Sequence, residues 1–203
     1  MILLWAILCF LSGSLMFSYW IGLLVKQNLR EHGDGNPGAL NLWRAAGYSY
    51  GLTGIALDFL KGYAPVFWLT YTETLSGYGI VLPAAAAIMG HTFSPFMKRR
   101  GGKGIAVTFG VWSAWTGFAA SLAYAVILAL LLALARWFTK GKPTSSDADG
   151  FQVVFGMLLL SGYLFYRGYS GAIYLFWGIN LLLLGYTHRK ELLHFLTFTS
   201  PNR

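Results

Sequence analysis

Charged residues are scarce in this sequence. They make up 11 % of its 203 residues, whereas hydrophobic residues make up 56 % and the mean hydropathy is +0.56. A soluble domain typically carries about 25 % charged residues. Several uncharged runs approach or exceed the roughly 20 residues needed to cross about 30 Å of hydrocarbon. The composition therefore excludes an ordinary soluble domain and predicts an integral membrane protein, with residues 1–203 forming a single membrane domain.

Cysteine and acidic residues are also rare. Cys9 is the only cysteine, which excludes a disulfide framework and a thiolate metal site, and it is expected to be a small buried hydrophobe. Seven acidic residues face 15 Lys and Arg, for a formal net charge of +8. The basic residues form short clusters at the ends of apolar runs rather than one stripe. We therefore interpret them as topology signals and expect no nucleic-acid partner.

The apolar segments predict the helices. They cover residues 2–25, 48–72, 79–97, 104–135, 151–166 and 169–187. The first has no basic leader and no small-residue cleavage site at its end, so it is expected to be retained as a span. The uncharged run at 104–135 would reach about 48 Å as one straight helix. Because that exceeds the hydrocarbon thickness, two short helices with a turn near Thr116 and Gly117 are predicted there.

The distribution of Lys and Arg tests the number of spans, because these residues accumulate in cytoplasmic loops. With seven spans, almost all of the basic residues fall on one side. This set is Lys26, Arg30, Arg44, Lys98, Arg99, Arg100, Lys103, Arg136, Lys140, Lys142, Arg189, Lys190 and Arg203. Only Arg167 falls outside, and Lys61 lies within the second span. Six spans would scatter the later clusters, so we predict an all-α bundle of seven transmembrane helices, with the N-terminus out and the C-terminus in.

Two polar segments look like connections. TKGKPTSSDADG at 139–150 is rich in Pro, Gly and Ser, and it is predicted to be a solvated cytoplasmic loop. LHFLTFTSPNR at 193–203 is predicted to be a short amphipathic piece at the membrane interface.

Two glycine-rich segments, GDGNPGALNLWR at 33–44 and RRGGKG at 99–104, fall on the same side in this topology. Glycines allow positive φ and close approach to a ligand, and successive amides or a helix N-terminus attract anions. We predict that both segments bind phosphate, with Arg44 supplying a planar fork and Lys103 a compact charge. The alternative is that they are turns whose basic residues only follow the topology rule.

Other residues suggest chemistry less specifically. GGKG lacks the spacing of a P-loop, and neither a metal-binding HExxH motif nor a Gly-x-Ser-x-Gly elbow is present. Asp58 and Lys61 lie three residues apart on one helical face within a span, so they are expected to pair, either for function or as a structural ion pair. His91 and His188 lie near cytoplasmic helix ends, as hydrogen-bonded residues or as bases.

Five segments together carry a family resemblance. They are GSLMFSYWIG at 13–22, GDGNPGALNLWR at 33–44, LDFLKGYAPV at 57–66, GHTFSPFMKRRGGKGIAVTFG at 90–110 and THRKEL at 187–192. In order and spacing they resemble the motifs of the bacterial membrane acyl-phosphate:glycerol-3-phosphate acyltransferases, the PlsY family. The resemblance implies a seven-helix bundle in the bacterial plasma (inner) membrane. A cytoplasm-facing pocket would bind acyl phosphate and glycerol 3-phosphate and form lysophosphatidate for phospholipid synthesis, without a cofactor, a metal or an obligate protein partner.

The resemblance also implies site residues. The catalytic set is Lys103, Arg44, His188 and Asn36. The substrate-binding set is Gly33, Asp34, Gly35, Gly38, Asn41, Lys61, His91, Gly101, Gly102, Gly104 and Glu191. An acyl phosphate already carries a good leaving group, so the chemistry asks mainly for positioning and charge neutralisation, and a substrate phosphate can accept the hydroxyl proton.

The sequence departs from the family pattern at several positions. Asp34 stands where Ser is expected, Leu40 where Thr is expected, Met16 where Pro is expected and Glu191 where Asn is expected, and the 139–150 turn replaces a Thr-Arg-Tyr-Ser-type stretch. Two added carboxylates oppose phosphate binding unless they pair with Arg or Lys. Two further hypotheses therefore stay open: an acyltransferase with a different hydroxylated acceptor, and a non-catalytic binder or carrier of phosphorylated lipids.

Overall fold

The computed structural model describes residues 1–198, and within them the secondary structure is helical with no strand. The ten α-helices are α1 (Ile2–Ser14), α2 (Phe17–Leu24), α3 (Ala39–Ala46), α4 (Tyr48–Tyr71), α5 (Tyr78–Thr92), α6 (Ile105–Thr116), α7 (Ala119–Phe138), α8 (Ser146–Tyr166), α9 (Gly171–Thr187) and α10 (Arg189–Phe198). Short 3₁₀ turns cover Leu29–Glu31 and Pro95–Met97. The predicted all-helical class is thereby confirmed for these residues.

Within residues 1–198, four helical segments are long and apolar enough to cross a membrane. They are Ile2–Leu24, Tyr78–Met97, Ala119–Phe138 and Ser146–Tyr166. Two shorter apolar helices, α6 and α9, accompany them. The 24-residue α4 is also long enough for a bilayer, although Asp58 and Lys61 lie near its middle.

Several predicted boundaries are confirmed. α4 matches the predicted span at 48–72, and the run at 104–135 is divided at Gly117, as its length required. Gly117 and Phe118 both adopt left-handed backbone conformations, with φ of +56° and +67°. Such residues end a right-handed helix because they cannot continue it. Cys9 is fully buried, as expected.

Other boundaries were predicted wrongly. The span at 151–166 begins five residues earlier, because Ser145 caps α8 by accepting a hydrogen bond from the Ala148 amide at 3.1 Å. Asp147 and Asp149 lie in the first turn, where the helix dipole favours negative charge. The end of the predicted loop at 139–150 is therefore helical.

Two further predicted spans are confirmed in extent, since Ile2–Leu24 and Tyr78–Met97 match the predictions at 2–25 and 79–97. Within the first, the helix is broken between α1 and α2, where Leu15 is extended and the buried Met16 stands in place of the proline that the resemblance implied. Within the second, the α-helix ends at Thr92 and a 3₁₀ turn follows at Pro95–Met97. The tail predicted at 193–203 belongs to a helix that begins at Arg189 and packs against α8, and residues 199–203, including Arg203, lie outside the described part.

Close helix packing brings the polar loops together. A side chain at Gly90 of α5 would lie 2.1 Å from the Phe10 carbonyl oxygen of α1, and one at Gly110 of α6 would lie 2.2 Å from the Phe59 carbonyl oxygen of α4. Small residues let membrane helices approach this closely. The contacts hold the C-terminus of α5 and the N-terminus of α6 beside the loop that precedes α3.

Candidate active site

The first glycine-rich loop, residues 33–38, is organised by Asn41. Gly33 and Gly35 adopt φ of +56° and +71°, which favours glycine. The buried Asn41 amide donates to the His32 carbonyl at 2.9 Å, to Asp34 Oδ1 at 2.8 Å and to the Asn36 carbonyl at 3.0 Å. The side-chain amide of Asn41, a predicted substrate-binding residue, thus donates all of these hydrogen bonds to the loop and holds its shape.

The second loop, residues 101–104, is anchored to the end of α5. The Gly101 amide donates to the Thr92 carbonyl at 3.0 Å, and the Gly102 amide donates to the His91 carbonyl at 3.1 Å. These two amides therefore do not face a ligand, contrary to the simple picture of a backbone cradle. The first amides of α6, which follows Gly104, have no acceptor within the helix, and they supply the positive end that attracts an anion.

Lys103 joins three distant parts of the chain. Its Nζ lies 2.5 Å from Asp34 Oδ2 in the first loop and 2.7 Å from Glu191 Oε1 in α10. Its carbonyl accepts a hydrogen bond from Thr187 Oγ1 at the end of α9, at 3.2 Å. The two predicted glycine-rich loops therefore meet, and both carboxylates that depart from the family pattern are paired with this ammonium group.

This three-residue cluster shifts the pKa of each member. Burial alone would raise the pKa of Asp34 and Glu191, but the hydrogen bond and charge of Lys103 outweigh it, so both pKa values lie below their usual range. Burial likewise opposes the charged form of Lys103, yet the two carboxylates raise its pKa. All three groups are therefore charged at neutral pH.

We expect the cluster to make stability depend on pH. Because the carboxylate pKa values are lowered on folding, their contribution is complete above their ordinary values of 3.8 and 4.5, and it is lost as the pH falls through the folded values. The contribution of Lys103 is lost only as the pH rises above 10.5. Thermal unfolding of the wild type and of a Asp34→Asn, Glu191→Gln variant should differ most between about pH 5 and pH 10. The two curves should converge only as the pH falls below the folded-state pKa values, which are lower than 3.8 and 4.5, and a difference that does not shrink there would contradict the assignment.

Three cavities meet at this cluster, and Asn36 and Lys103 line all of them. The first of these three, of about 470 Å³, is mainly apolar and is lined by α3, α4 and α6. We call it the apolar cavity. Its hydrophobic walls are Ala39, Leu40, Trp43, Ile55, Phe59, Ile105, Ala106 and Phe109. Leu40, which replaces an implied Thr, thus extends the apolar wall, while Gly38 and Gly104 lie at the polar end.

The second cavity, of about 310 Å³, is polar, and we call it the basic cavity. Six cationic side chains and two carboxylates line it. The cations are Arg30, Arg99, Arg100, Lys103, Arg189 and Lys190, and the acids are Asp34 and Glu191. Of these cations only Lys103 was predicted as a site residue, although Arg99 and Arg100 belong to the RRGGKG segment that was predicted to bind phosphate. Their clustering at loop ends was visible in the sequence, but their shared cavity was not. The excess of positive charge suits an anionic ligand.

The third cavity, of about 100 Å³, contains the remaining predicted catalytic residues. Arg44 lies on the last turn of α3 rather than in the loop, and its Nη1 is 3.5 Å from Asn41 Oδ1. His188 is buried, and its Nδ1 donates to the Leu184 carbonyl at 2.9 Å, which leaves Nε2 as an acceptor. Burial and the nearby Lys103 charge lower the pKa of His188, so the ring is neutral at pH 7.

The first turn of α8 also contributes to the third cavity, which sequence reasoning missed. Ser146, Asp149 and Gly150 line it. A side chain on Gly150 would lie 2.7 Å from Glu191 Cβ, so glycine is what allows α8 to approach the tail. These residues were hidden because the segment was interpreted as a plain loop.

A buried polar network supports the second loop from behind. Asp58 Oδ1 lies 2.7 Å from Lys61 Nζ, and Lys61 Nζ lies 2.8 Å from His91 Nδ1. The predicted pairing of Asp58 with Lys61 is confirmed. Asp58 and His91 line the apolar cavity, whereas Lys61, predicted to line the pocket, lies behind them. A side chain on Gly102 would lie 2.2 Å from His91 Nε2, so the imidazole supports this loop directly.

Within residues 1–198, no group of three or more His, Cys, Asp and Glu side chains is arranged to hold a metal ion. The site is instead a junction of loops where cations and helix N-termini face an apolar cavity. Such a junction suits a ligand with an anionic head and an apolar tail.

The chain is similar in sequence to known proteins. The family model for glycerol-3-phosphate acyltransferase matches residues 3–197. Glycerol-3-phosphate acyltransferase 1 from Thermotoga maritima is 38 % identical over 192 residues, covering 92 % of this chain and 94 % of the relative.

Two solved structures are similar in fold to this chain. Crystal structures of PlsY, an integral membrane glycerol 3-phosphate acyltransferase, in its glycerol 3-phosphate and lysophosphatidic acid forms match with TM-scores of 0.83 and 0.82. Each is 27 % identical and covers 97 % of this chain and 92 % of its own. This chain therefore belongs to the glycerol-3-phosphate acyltransferase family of integral membrane acyltransferases.

Proposed function

We propose that this acyltransferase moves a fatty acyl group from acyl phosphate to glycerol 3-phosphate and forms lysophosphatidate for phospholipid synthesis. The observation that carries the proposal is the meeting of the apolar cavity and the basic cavity at Asn36 and Lys103. The apolar cavity suits an acyl chain, and the basic cavity suits the phosphate groups. The reaction as we propose it uses no cofactor.

The proposed reaction is a direct transfer. The acceptor hydroxyl oxygen forms a bond to the acyl carbon, the bond from that carbon to the phosphate oxygen breaks, and inorganic phosphate leaves with the hydroxyl proton. Lys103 and the N-terminus of α6 neutralise the donor phosphate, and the arginines of the basic cavity hold the acceptor phosphate. Fixing two reactants in line supplies up to about 7–11 kcal/mol of barrier lowering, so no acyl-enzyme intermediate is required.

We further propose seven spans, with the N-terminus outside, the C-terminus inside and the site facing the cytoplasm of a bacterial inner membrane. In this arrangement α1 and α2 form the first span, and α4 to α9 form the other six. The meeting of residues 33–38 with residues 101–104 supports it, because both loops then lie on the side that holds most Lys and Arg. Cysteine labelling from each side of the membrane tests the orientation.

The activity test uses purified protein with palmitoyl phosphate and glycerol 3-phosphate, followed by identification of the lipid product. Lysophosphatidate and inorganic phosphate should appear in equal amounts. Palmitoyl thioester and other small hydroxylated acceptors serve as parallel substrates. Transfer to another acceptor, with none to glycerol 3-phosphate, would favour the divergent acyltransferase, and no transfer with any pair would favour a non-catalytic phospholipid binder.

Replacing Asp34 separates the first two hypotheses. If Asp34 only offsets the charge of Lys103, Asp34→Ser should free the ammonium for phosphate and lower the KM for glycerol 3-phosphate by about 3- to 10-fold. The hydroxyl of Ser can still accept the hydrogen bonds of Asn36 and Asn41 that shape the loop. A loss of activity in Asp34→Ser, with activity kept in Asp34→Asn, would point to a structural need in the loop instead.

A further inference from the structure

The turn between α6 and α7 holds a bulky aromatic residue in a strained backbone conformation. Phe118 adopts φ of +67° directly after Gly117 at φ of +56°. Glycine adopts such angles freely, but a bulky side chain there is an outlier that costs of order 1–3 kcal/mol. Favourable contacts of the turn must therefore compensate for this strain.

Hydrogen bonds fix this turn. The Phe118 amide donates to the Ser113 carbonyl at 3.0 Å, and the Phe118 carbonyl accepts from Ser121 Oγ at 2.9 Å. Thr116 Oγ1 donates to the Trp112 carbonyl at 2.6 Å and accepts from the Ala120 amide at 3.1 Å. A turn exposed to lipid must satisfy its backbone internally, and the side chains around this one do so.

The turn lies one α6 length from the site. α6 starts next to Lys103 and has 12 residues, so it reaches about 18 Å. Phe118 is therefore roughly 18 Å from Lys103 along α6, a distance that a fatty acyl chain starting at the site can reach.

The ring of Phe118 leans across to α4. Its centroid lies 6.4 Å from that of Phe59, in a stacked arrangement, and 5.7 Å from that of Tyr63. Phe59 lines the apolar cavity, and α4 and α6 are in close contact at Gly110. Phe118 thus lies immediately beyond the cavity wall, between the α6–α7 turn and the two aromatic residues of α4.

We propose that Phe118 closes the deep end of the apolar cavity and so sets the length of acyl chain that this enzyme accepts. The proposal rests on the proposed function, in which that cavity holds the acyl chain. C–C bonds of about 1.5 Å advance an extended chain by about 1.3 Å per carbon. A depth of about 18 Å therefore accommodates about 14 carbons before the chain meets the ring.

The test uses acyl phosphates of about 10 to 18 carbons, a range that brackets the expected length of about 14 carbons. It compares the wild type with Phe118→Gly. Glycine relieves the left-handed strain, which offsets the loss of the ring contacts, so the variant is expected to fold. Its optimum should move to chains at least about two carbons longer, with kcat/KM for the longest chain raised about 10-fold relative to the shortest. Phe118→Leu should give an intermediate profile.

Phe67→Ala is the matched control. Phe67 belongs to the same aromatic row of α4, stacked on Tyr63 at 5.2 Å, but one helical turn further from the site. Its replacement should leave the chain-length profile unchanged. An unchanged profile in Phe118→Gly, in an enzyme that transfers acyl chains normally, would overturn the proposal for Phe118 alone. Absence of transfer by the wild type with any chain length would instead overturn the proposed function.

Discussion

Lys103→Ala should lower kcat/KM for acyl transfer by at least about 100- to 1,000-fold, which is the usual cost of removing one group that neutralises charge in a reaction. The loss has two causes. The ammonium that faces the donor phosphate disappears, and Asp34 and Glu191, which it pairs at 2.5 and 2.7 Å, are left as unpaired carboxylates beside two phosphates. Steady-state kinetics with both substrates varied measures the effect.

Two variants make this result specific. Lys103→Arg keeps the charge but not the compact shape, and it should retain intermediate activity. Lys142→Ala removes an exposed lysine from the connection between α7 and α8, away from the three cavities, and it should be close to wild type. A Lys103→Ala enzyme that folds and turns over at a near-normal rate would remove Lys103 from the site.

Gly101→Ala should abolish activity for a different reason. A Cβ atom there would lie 1.8 Å from the His91 carbonyl oxygen, and this oxygen accepts the hydrogen bond that anchors Gly102. Because the clash is with backbone, the loop must move away from α5 and carry Lys103 with it. We expect activity to fall at least about 100-fold, and the free energy of unfolding to fall by about 1–3 kcal/mol, as for other overpacked sites.

Gly185→Ala provides the control for this substitution. Gly185 lies within α9, and nothing would lie within 4 Å of an added Cβ. Alanine should leave activity unchanged and stabilise the helix by about 0.5–1 kcal/mol. If Gly101→Ala and Gly185→Ala have the same activity and the same free energy of unfolding, then the close contact between residue 101 and α5 is not needed for function.

Much of the helical framework was readable from sequence because it depends on local patterns. The 104–135 run had to be divided because of its length, and Gly117 was the residue able to end a helix there. The start of α8 was missed because its polar first turn resembles a loop, although the Ser145 cap was a usable signal.

The site was predictable only in part. The glycine-rich segments were predicted to bind phosphate, and the structure shows that the Gly101 and Gly102 amides anchor the second loop to α5. Arginines such as Arg30 and Arg189 had a sufficient explanation in membrane topology, so their basic character alone did not assign them to the basic cavity. The roles of the individual predicted site residues stay predictions.

The sequence by itself determined the membrane class, the helices and the family, because hydrophobicity, helix length and motif order are carried by neighbouring residues. Only the tertiary structure decided what Lys103 contacts. Asp34 is 69 residues before it and Glu191 is 88 residues after it, and no local pattern links them. Their meeting depends on helix packing, in which α5 approaches α1 at Gly90 and α6 approaches α4 at Gly110.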